Sequence, residues 1–405
     1  MEIIKSNQSC HQTLSAWDRL TGGIWPYYGT VNWYPERIDP GRLRCAIQQM
    51  IDSYPIFSGR LRSKRGKLQV LCDKNSNGVE LHTYVRNSEN AQQELSGKTI
   101  DIPVELEVPS RSLYALGRDK PLVYIILYTG KDCGGIGVLI NHLIADGSTY
   151  FAFVEKLSNL YCGISEGSES VFSYSMDAVD QFFKESVIGQ TFKERILYNV
   201  SAGVFMVRMF FRRQSRYDVL WFAISDEEQE QLKSEYGSYS RNDALFEFLC
   251  VSPAKVCGFP SDLRGVGLYI GNNHGGNATS LVSATTKASN QWFVQHSDIR
   301  EAINRRSNYH QSLRFRGFGI RSYFVHNSWN KFQDRLPKLV NNSSCQSVFL
   351  NPQNICFQLM WCGSLVLKTT NKKSLVFYSN KKPIVSKLEI KLKSLGFEVM
   401  KLRDN

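Results

Sequence analysis

The sequence lacks any apolar run that could cross a membrane; none reaches the roughly 18 consecutive apolar residues that a transmembrane helix requires. The nearest, Val200 to Phe211, is shorter, carries Arg208 and is followed by Arg212-Arg213. A basic, apolar segment of this kind suits a core-facing helix between domains or contact with a membrane surface. The N-terminal stretch MEIIKSNQSCHQ is polar and has no hydrophobic leader segment, so a secretory route is not expected. Ten cysteines occur without one C-x-x-C pair, which argues against zinc-ribbon and thioredoxin-like sites. They read as free, buried thiols in a reducing, cytoplasmic compartment. Without a leader, the sequon Asn277-Ala278-Thr279 carries little weight. Internal repeats at solenoid periods are absent. So are zinc-finger, homeodomain and aromatic RNA-binding patterns, and nucleic acid is not an expected partner.

What is present fits an ordinary globular protein of two domains. The chain has 405 residues, against about 100–200 for a typical domain. Apolar residues make up 42% and charged residues 21%. The net charge of +12 favours an anionic ligand, and a phosphorylated small molecule fits better than a polyanion because the basic residues form no dense tract.

Hydrophobic periodicity predicts a helix opening at Asp39-Pro40, with Leu43, Ala46, Ile47, Met50 and Ile51 on one face and a stop at Tyr54-Pro55. A hairpin is expected around Gly66. The dense run Pro121 to Tyr128, the turn Lys131 to Gly135 and the run Ile136 to Asn141 predict a buried β-hairpin. After it come the turn Leu143 to Gly147 and a helix capped by Asp146 or Ser148, with Phe151, Phe153, Val154 and Leu157 inward. Gly163 to Ser173 reads as a loop ending the first domain. A strand over Val219 to Ile224 opens the second half, followed by a helix with the Ser225/Glu228 capping-box signature and another containing Asp243 to Leu249. Further strands are expected at Gly267 to Ile270, Arg321 to His326, Cys356 to Trp361 and Ser374 to Tyr378. Helices are expected around Asp298 to Arg306 and, closing the chain, at Ile384 to Leu395. The alternation of strand and helix predicts an α/β (α+β) protein. Its division is an N-terminal domain over 1–175, a crossover over 176–218 and a C-terminal domain over 219–405.

The motif that carries chemistry is Asn141-His142-Leu143-Ile144-Ala145-Asp146-Gly147. A histidine leaving the end of a buried strand is held in place, and neutral imidazole is the side chain best suited to accept a proton near pH 7. H-x-x-x-D-G arises by chance in roughly one chain in thirty of this length, and a lone histidine can equally be a core residue bonded to a carbonyl.

The motif resembles the H-H-x-x-x-D-G motif of the BAHD acyltransferases and, more broadly, that of condensation domains and chloramphenicol-acetyltransferase-like enzymes. Other segments resemble BAHD elements in the same order. They are Leu14-Ser15-Ala16-Trp17-Asp18, Tyr54 to Leu61 (YPIFSGRL), Asn242 to Leu249 (NDALFEFL), Asp262-Leu263-Arg264 with Tyr269 to Asn272 (YIGN), and Asn327-Ser328-Trp329. Two departures stand out: Asn141 replaces the first histidine, and the family's late D-F-G-W-G motif has no counterpart between Trp329 and Pro352.

The resemblance implies two chloramphenicol-acetyltransferase-like domains, each a mixed sheet flanked by helices, with an active site in a channel between them. It implies an acyltransferase of secondary metabolism acting as a monomer on acyl-CoA, a co-substrate, with no bound cofactor and no metal. His142 is then the general base, and Trp329 and Asn327 are oxyanion donors. Asp146 pairs with Arg264 and, with Gly147, fixes the turn. Thr279, Ser280, Thr285 and Thr286 line the pantetheine tunnel. Arg314 and Arg316 are either acceptor-binding or surface residues. Three other readings remain open: a condensation-type enzyme using a carrier-protein thioester, an inactive binding module on the same fold, and lipid acylation through the Val200–Arg213 segment.

Overall fold

A computed structural model of the chain describes residues 1–164 apart from 16–17, 23–26, 76, 86–99, 102, 104 and 110–111, and residues 218–249. It further describes 172–174, 178–182, 192, 196, 200, 256–265, 270–285, 323–329, 346–351, 362–368, 373–379 and 382–402. The expected helix at Asp298 to Arg306, the strand at Cys356 to Trp361, and nearly all of the Gly267 to Ile270 strand and of the Val200–Arg213 segment lie outside them. So do Arg314, Arg316 and Thr286. Among the described residues no helix is long and apolar enough to cross a membrane.

The chain forms two compact units that are interleaved in sequence. The first comprises Met1–Asp180, Tyr269–Ala278 and Lys331–Cys356, and the second holds the remaining segments. In the first unit, strands β1 (Glu2–Lys5), β2 (Cys10–Thr13) and β3 (Tyr28–Tyr34) lead to helix α1 (Pro40–Ser53). Asp39 caps α1 through a bond from the Arg42 amide at 2.7 Å, and Leu43, Ala46, Ile47, Met50 and Ile51 are all buried, as the periodicity requires. Strands β4 (Arg60–Lys64) and β5 (Lys67–Cys72) form the expected hairpin, with Arg65 and Gly66 both at positive φ, the conformation such two-residue turns need. Then follow β6 (Gly78–Val85), β7 (Ile100–Asp101), β8 (Val123–Thr129), β9 (Gly134–Ile140) and helix α2 (Gly147–Cys162).

In the second unit come β10 (Asp218–Ile224), α3 (Asp226–Tyr236), α4 (Arg241–Leu249), β11 (Val256–Asp262), β12 (Thr279–Thr285) and β13 (Tyr323–Ser328). Strand β14 (Gln346–Asn351) belongs to the first unit. Strands β15 (Cys362–Lys368) and β16 (Lys373–Ser379), helix α5 (Lys382–Ser394) and β17 (Val399–Leu402) complete the second.

Each unit is built on a seven-stranded mixed sheet. The first has the order β1-β6-β8-β9-β3-β14-β7, with a separate three-stranded sheet β2-β5-β4. The second has the order β12-β11-β13-β15-β16-β10-β17. Two expectations are corrected. The last element is strand β17, paired with β10, and not a closing helix. A division of the chain at residue 218 does not separate the sheets, because β14 returns to pair with the edge of β3 from Gln346 opposite Trp33 to Leu350 opposite Gly29.

Strands β3 and β9 are buried along their full length, so both faces of the sheet centre are covered. The Ser225/Glu228 capping box forms reciprocally at the start of α3. In the core of the second unit, His326 on β13 is buried, with Nδ1 2.7 Å from Ser364 Oγ and Nε2 3.2 Å from Asn242 Oδ1. Burial depresses its pKa to about 3. An unfolded histidine takes up a proton below about 6.5 while the folded one does not. The contribution is therefore intact above that pH and is lost as pH falls toward 3. At pH 5 the loss is expected to be about 2 kcal/mol. Urea unfolding at pH 7 and pH 5 checks this: the decline should be smaller in His326→Gln, and equal declines in the two proteins would refute it.

Candidate active site

The apolar strand β9 delivers the chain to Asn141 and His142. Asn141 is fully buried and acts as a lock. Its Nδ2 donates to the Ser112 carbonyl at 3.0 Å, its Oδ1 accepts from the Leu143 amide at 2.9 Å, and its own amide donates to the Leu122 carbonyl at 2.8 Å. The Ile144 amide returns to the Asn141 carbonyl and closes the turn. The replacement of the first histidine thus leaves a side chain whose donor and acceptor both hold the turn. The His142 amide donates to Ser112 Oγ at 2.8 Å.

Asp146 caps α2. Its Oδ1 accepts from the Thr149 amide at 3.0 Å, and its Oδ2 accepts from the Ala278 amide at 2.9 Å. One carboxylate therefore holds the helix start and a segment 132 positions away in sequence. Gly147 is the first residue of the helix. Thr149 Oγ1 donates to the Gly276 carbonyl at 3.0 Å, and Ala145 bridges to Gly276. Gly276 has φ +92°, where a side chain would be strained. An Asp146→Asn substitution presents one amide oxygen to two backbone donors, and is expected to cost about 1–3 kcal/mol by leaving one buried N–H unsatisfied. A urea midpoint unchanged from the wild type would refute that role.

The segment that Asp146 anchors brings Asn277 to His142. Asn277 Oδ1 lies 3.1 Å from His142 Nδ1. Its Nδ2 lies 3.1 Å from Asp18 Oδ1, 2.8 Å from the His142 carbonyl and 3.3 Å from the Leu143 carbonyl. Those three neighbours are acceptors, so Nδ2 must face them and Oδ1 must face the imidazole. Oδ1 can only accept; Nδ1 therefore carries the proton and Nε2 is the unprotonated nitrogen. Asp18 is itself buried and fixed: Oδ1 also accepts from the Asn277 amide at 3.0 Å, and Oδ2 accepts from the Ser15 amide and hydroxyl at 2.9 and 2.7 Å. Burial raises the Asp18 pKa, opposed by these hydrogen bonds.

The His142 ring packs against Tyr28, with ring centroids 4.7 Å apart. Burial lowers the His142 pKa, opposed by its own backbone, the Asp146 charge and the Asn277 bond, which favours the neutral base. Gly22, at the end of a short π-helical turn over Asp18–Gly22, lies flat against this turn; a Cβ there would overlap the His142 carbonyl oxygen. His142, Asp146 and Gly147 thus come together as the sequence suggests, all in the first unit. Asn277, Asp18 and Ser15 join them without having been singled out as site residues. The only sequence signals were the Leu-Ser-x-x-Asp resemblance and a sequon whose asparagine is in fact buried.

The other expected residues lie in the second unit. Asn327 is at the end of β13, followed by buried Trp329, whose amide donates to the Val366 carbonyl at 3.1 Å. Arg264 Nη1 bonds Asp262 Oδ1 at 2.9 Å, which accounts locally for the Asp-x-Arg spacing. The expected pairing of Arg264 with Asp146 links residues of different units. Thr279, Ser280 and Thr285 lie on β12. Among the described residues no cluster of His, Cys, Asp and Glu could hold a metal.

Two mixed sheets flanked by helices, with an H-x-x-x-D-G turn after a central strand, define the chloramphenicol-acetyltransferase-like fold. Residues 5–175, less than half of the chain, match the Transferase family model. Acyltransferase GLAUCE of Arabidopsis thaliana is 28% identical over 131 residues, covering 31% of this chain and 28% of that relative. The match thus spans little more than a quarter of the relative's length. The crystal structure of vinorine synthase superposes with a TM-score of 0.69 over 97% of both chains at 13% identity. That of F. graminearum TRI101 complexed with coenzyme A and T-2 mycotoxin gives 0.65 over 97% of this chain and 99% of that one at 11% identity. At these identities the structural likeness establishes the fold alone.

Proposed function

We propose that the protein transfers an acyl group from an acyl-CoA thioester to a hydroxyl or amine of a small molecule, with His142 Nε2 as the general base. The observation that carries this reading is the Asn277 amide. Its placement protonates Nδ1, so the basic lone pair of the neutral ring is on Nε2. The acceptor O–H or N–H gives its proton to Nε2 as its heteroatom attacks the thioester carbonyl. The tetrahedral oxyanion needs neutral donors, a role assigned to the Trp329 indole N–H and the Asn327 amide. As the intermediate collapses, the C–S bond breaks and the Nε2 proton passes to the departing coenzyme A sulfur, regenerating the neutral ring.

The net charge of +12 suits a phosphorylated donor. Thr279, Ser280, Thr285 and Thr286 are assigned to its pantetheine arm. The binding of coenzyme A and a small molecule by TRI101, which shares the fold, supports this choice of donor. The reading includes a monomer in the cytoplasm.

The test incubates the purified chain with a panel of acyl-CoA thioesters, with and without a small-molecule extract, and follows free coenzyme A and new acyl adducts by mass spectrometry. Release that depends on the extract, with a matching adduct, is expected. Binding of acyl-CoA without release would overturn the reading in favour of a binding module. Turnover only from a carrier-protein thioester would favour a condensation-type enzyme.

A further inference from the structure

The three-stranded sheet holds a pair of thiols that the acyl-transfer chemistry does not use. Strand β2 pairs antiparallel with β5, and the register sets Cys10 directly opposite Cys72. Residues so opposed have Cα atoms about 4.5–5.5 Å apart, inside the roughly 4.4–6.8 Å range of a disulfide. Both are free thiols. Cys72 is buried, with its Sγ 2.9 Å from Ser58 Oγ and 3.5 Å from the Gln8 carbonyl, whereas Cys10 is partly exposed. The neighbouring Cys10 thiol, with the Ser58 hydroxyl, draws the Cys72 thiol below its ordinary range, and Cys72 together with burial pushes Cys10 above it. Cys72 is therefore the first of the two to ionise.

We propose that Cys10 and Cys72 form a dithiol modification site, oxidised to a cross-strand disulfide by small disulfides of the glutathione class. The partly exposed Cys10 meets the oxidant. Cys10 passes its proton to the Cys72 thiolate as its sulfur attacks one sulfur of oxidised glutathione, forming a mixed disulfide and releasing one glutathione thiolate, which takes that proton from Cys72. The Cys72 thiolate then attacks the Cys10 sulfur and expels the second glutathione. Two protein thiols are oxidised as one glutathione disulfide is reduced to two thiols, with the two protons passing to the released glutathione. The link would pin β2 to β5 immediately before Ser15 and Asp18, of which Asp18 holds Asn277 and Ser15 holds Asp18. Exposed Cys45 on α1 has no such partner in register and serves as an internal comparison.

The test equilibrates the full chain in glutathione buffers from reduced to oxidised, quenches with acid, alkylates free thiols and maps the peptides by mass spectrometry. A Cys10–Cys72 peptide lighter by two hydrogens is expected to accumulate as the oxidised fraction rises, together with an upward shift in Tm. Cys10→Ser should show neither, and Cys45→Ser should show both. A stable glutathione adduct on Cys10 with Cys72 still reduced, or a link from Cys72 to any other cysteine, would overturn the proposal.

Discussion

Replacing His142 by alanine is expected to slow acceptor-dependent release of free coenzyme A by about 10²- to 10⁴-fold, the usual contribution of a placed general base. The fold should survive. The turn is held through the His142 amide on Ser112 Oγ and the His142 carbonyl under Asn277 Nδ2, and neither contact needs the ring. Acyl-CoA binding should therefore persist while turnover falls, which separates a lost base from a lost protein. The wild-type pH profile supplies a second readout. Because burial lowers the His142 pKa, the ring stays neutral into more acidic solution than a free histidine, and the acidic limb of kcat/KM should fall below about 6.5. A variant that turns over like the wild type would remove His142 from the reaction.

Alanine at Asn277 is expected to have the next largest effect, through positioning. Its side chain accepts from His142 Nδ1 and donates toward Asp18 and two carbonyls of the His142 turn. Without it the ring can populate the other tautomer, with the proton on Nε2 where a base is needed. A drop in kcat of about 10²-fold is expected, in keeping with the cost of misplacing a reacting group by about 1 Å. The stripped Asp18 and turn carbonyls should also cost about 2–4 kcal/mol of stability. A purely structural role would lower stability and leave the pH limb of the surviving activity unchanged. Positioning predicts that the limb moves, because the imidazole loses its fixed acceptor.

How much of this was legible in the sequence depends on range. The turn around His142 could be read because its causes are contiguous: an apolar strand, a glycine-bearing turn, and an aspartate before an amphipathic helix. Asn277 could not, because it lies 135 positions from His142 and arrives through the bridge of Gly276 to Ala145. No local pattern records such a contact, and the surrounding letters read as a sequon. Asp18 stands between these cases: the Leu-Ser-x-x-Asp resemblance marked it, but its role appears only when Asn277 is placed.

The same division holds for the fold. Helix α1 and the β8–β9 hairpin follow from their own periodicity. Strand β3 was not read because Thr30 and Asn32 interrupt its apolar run; both are buried, and the Thr30 amide and hydroxyl bond the Tyr150 hydroxyl of α2 at 2.7 and 3.0 Å. Strand β14 follows a polar stretch and takes its place by pairing with β3, which lies more than 300 residues earlier.

The most direct test is the ¹⁵N spectrum of histidine-labelled protein at pH 7, with His142 assigned by comparison with His142→Gln. A neutral ring with the proton on Nδ1 and an unprotonated Nε2 is the expected result. An imidazolium, or a neutral ring protonated on Nε2, would contradict it, because the nitrogen assigned to take the acceptor's proton would already hold one.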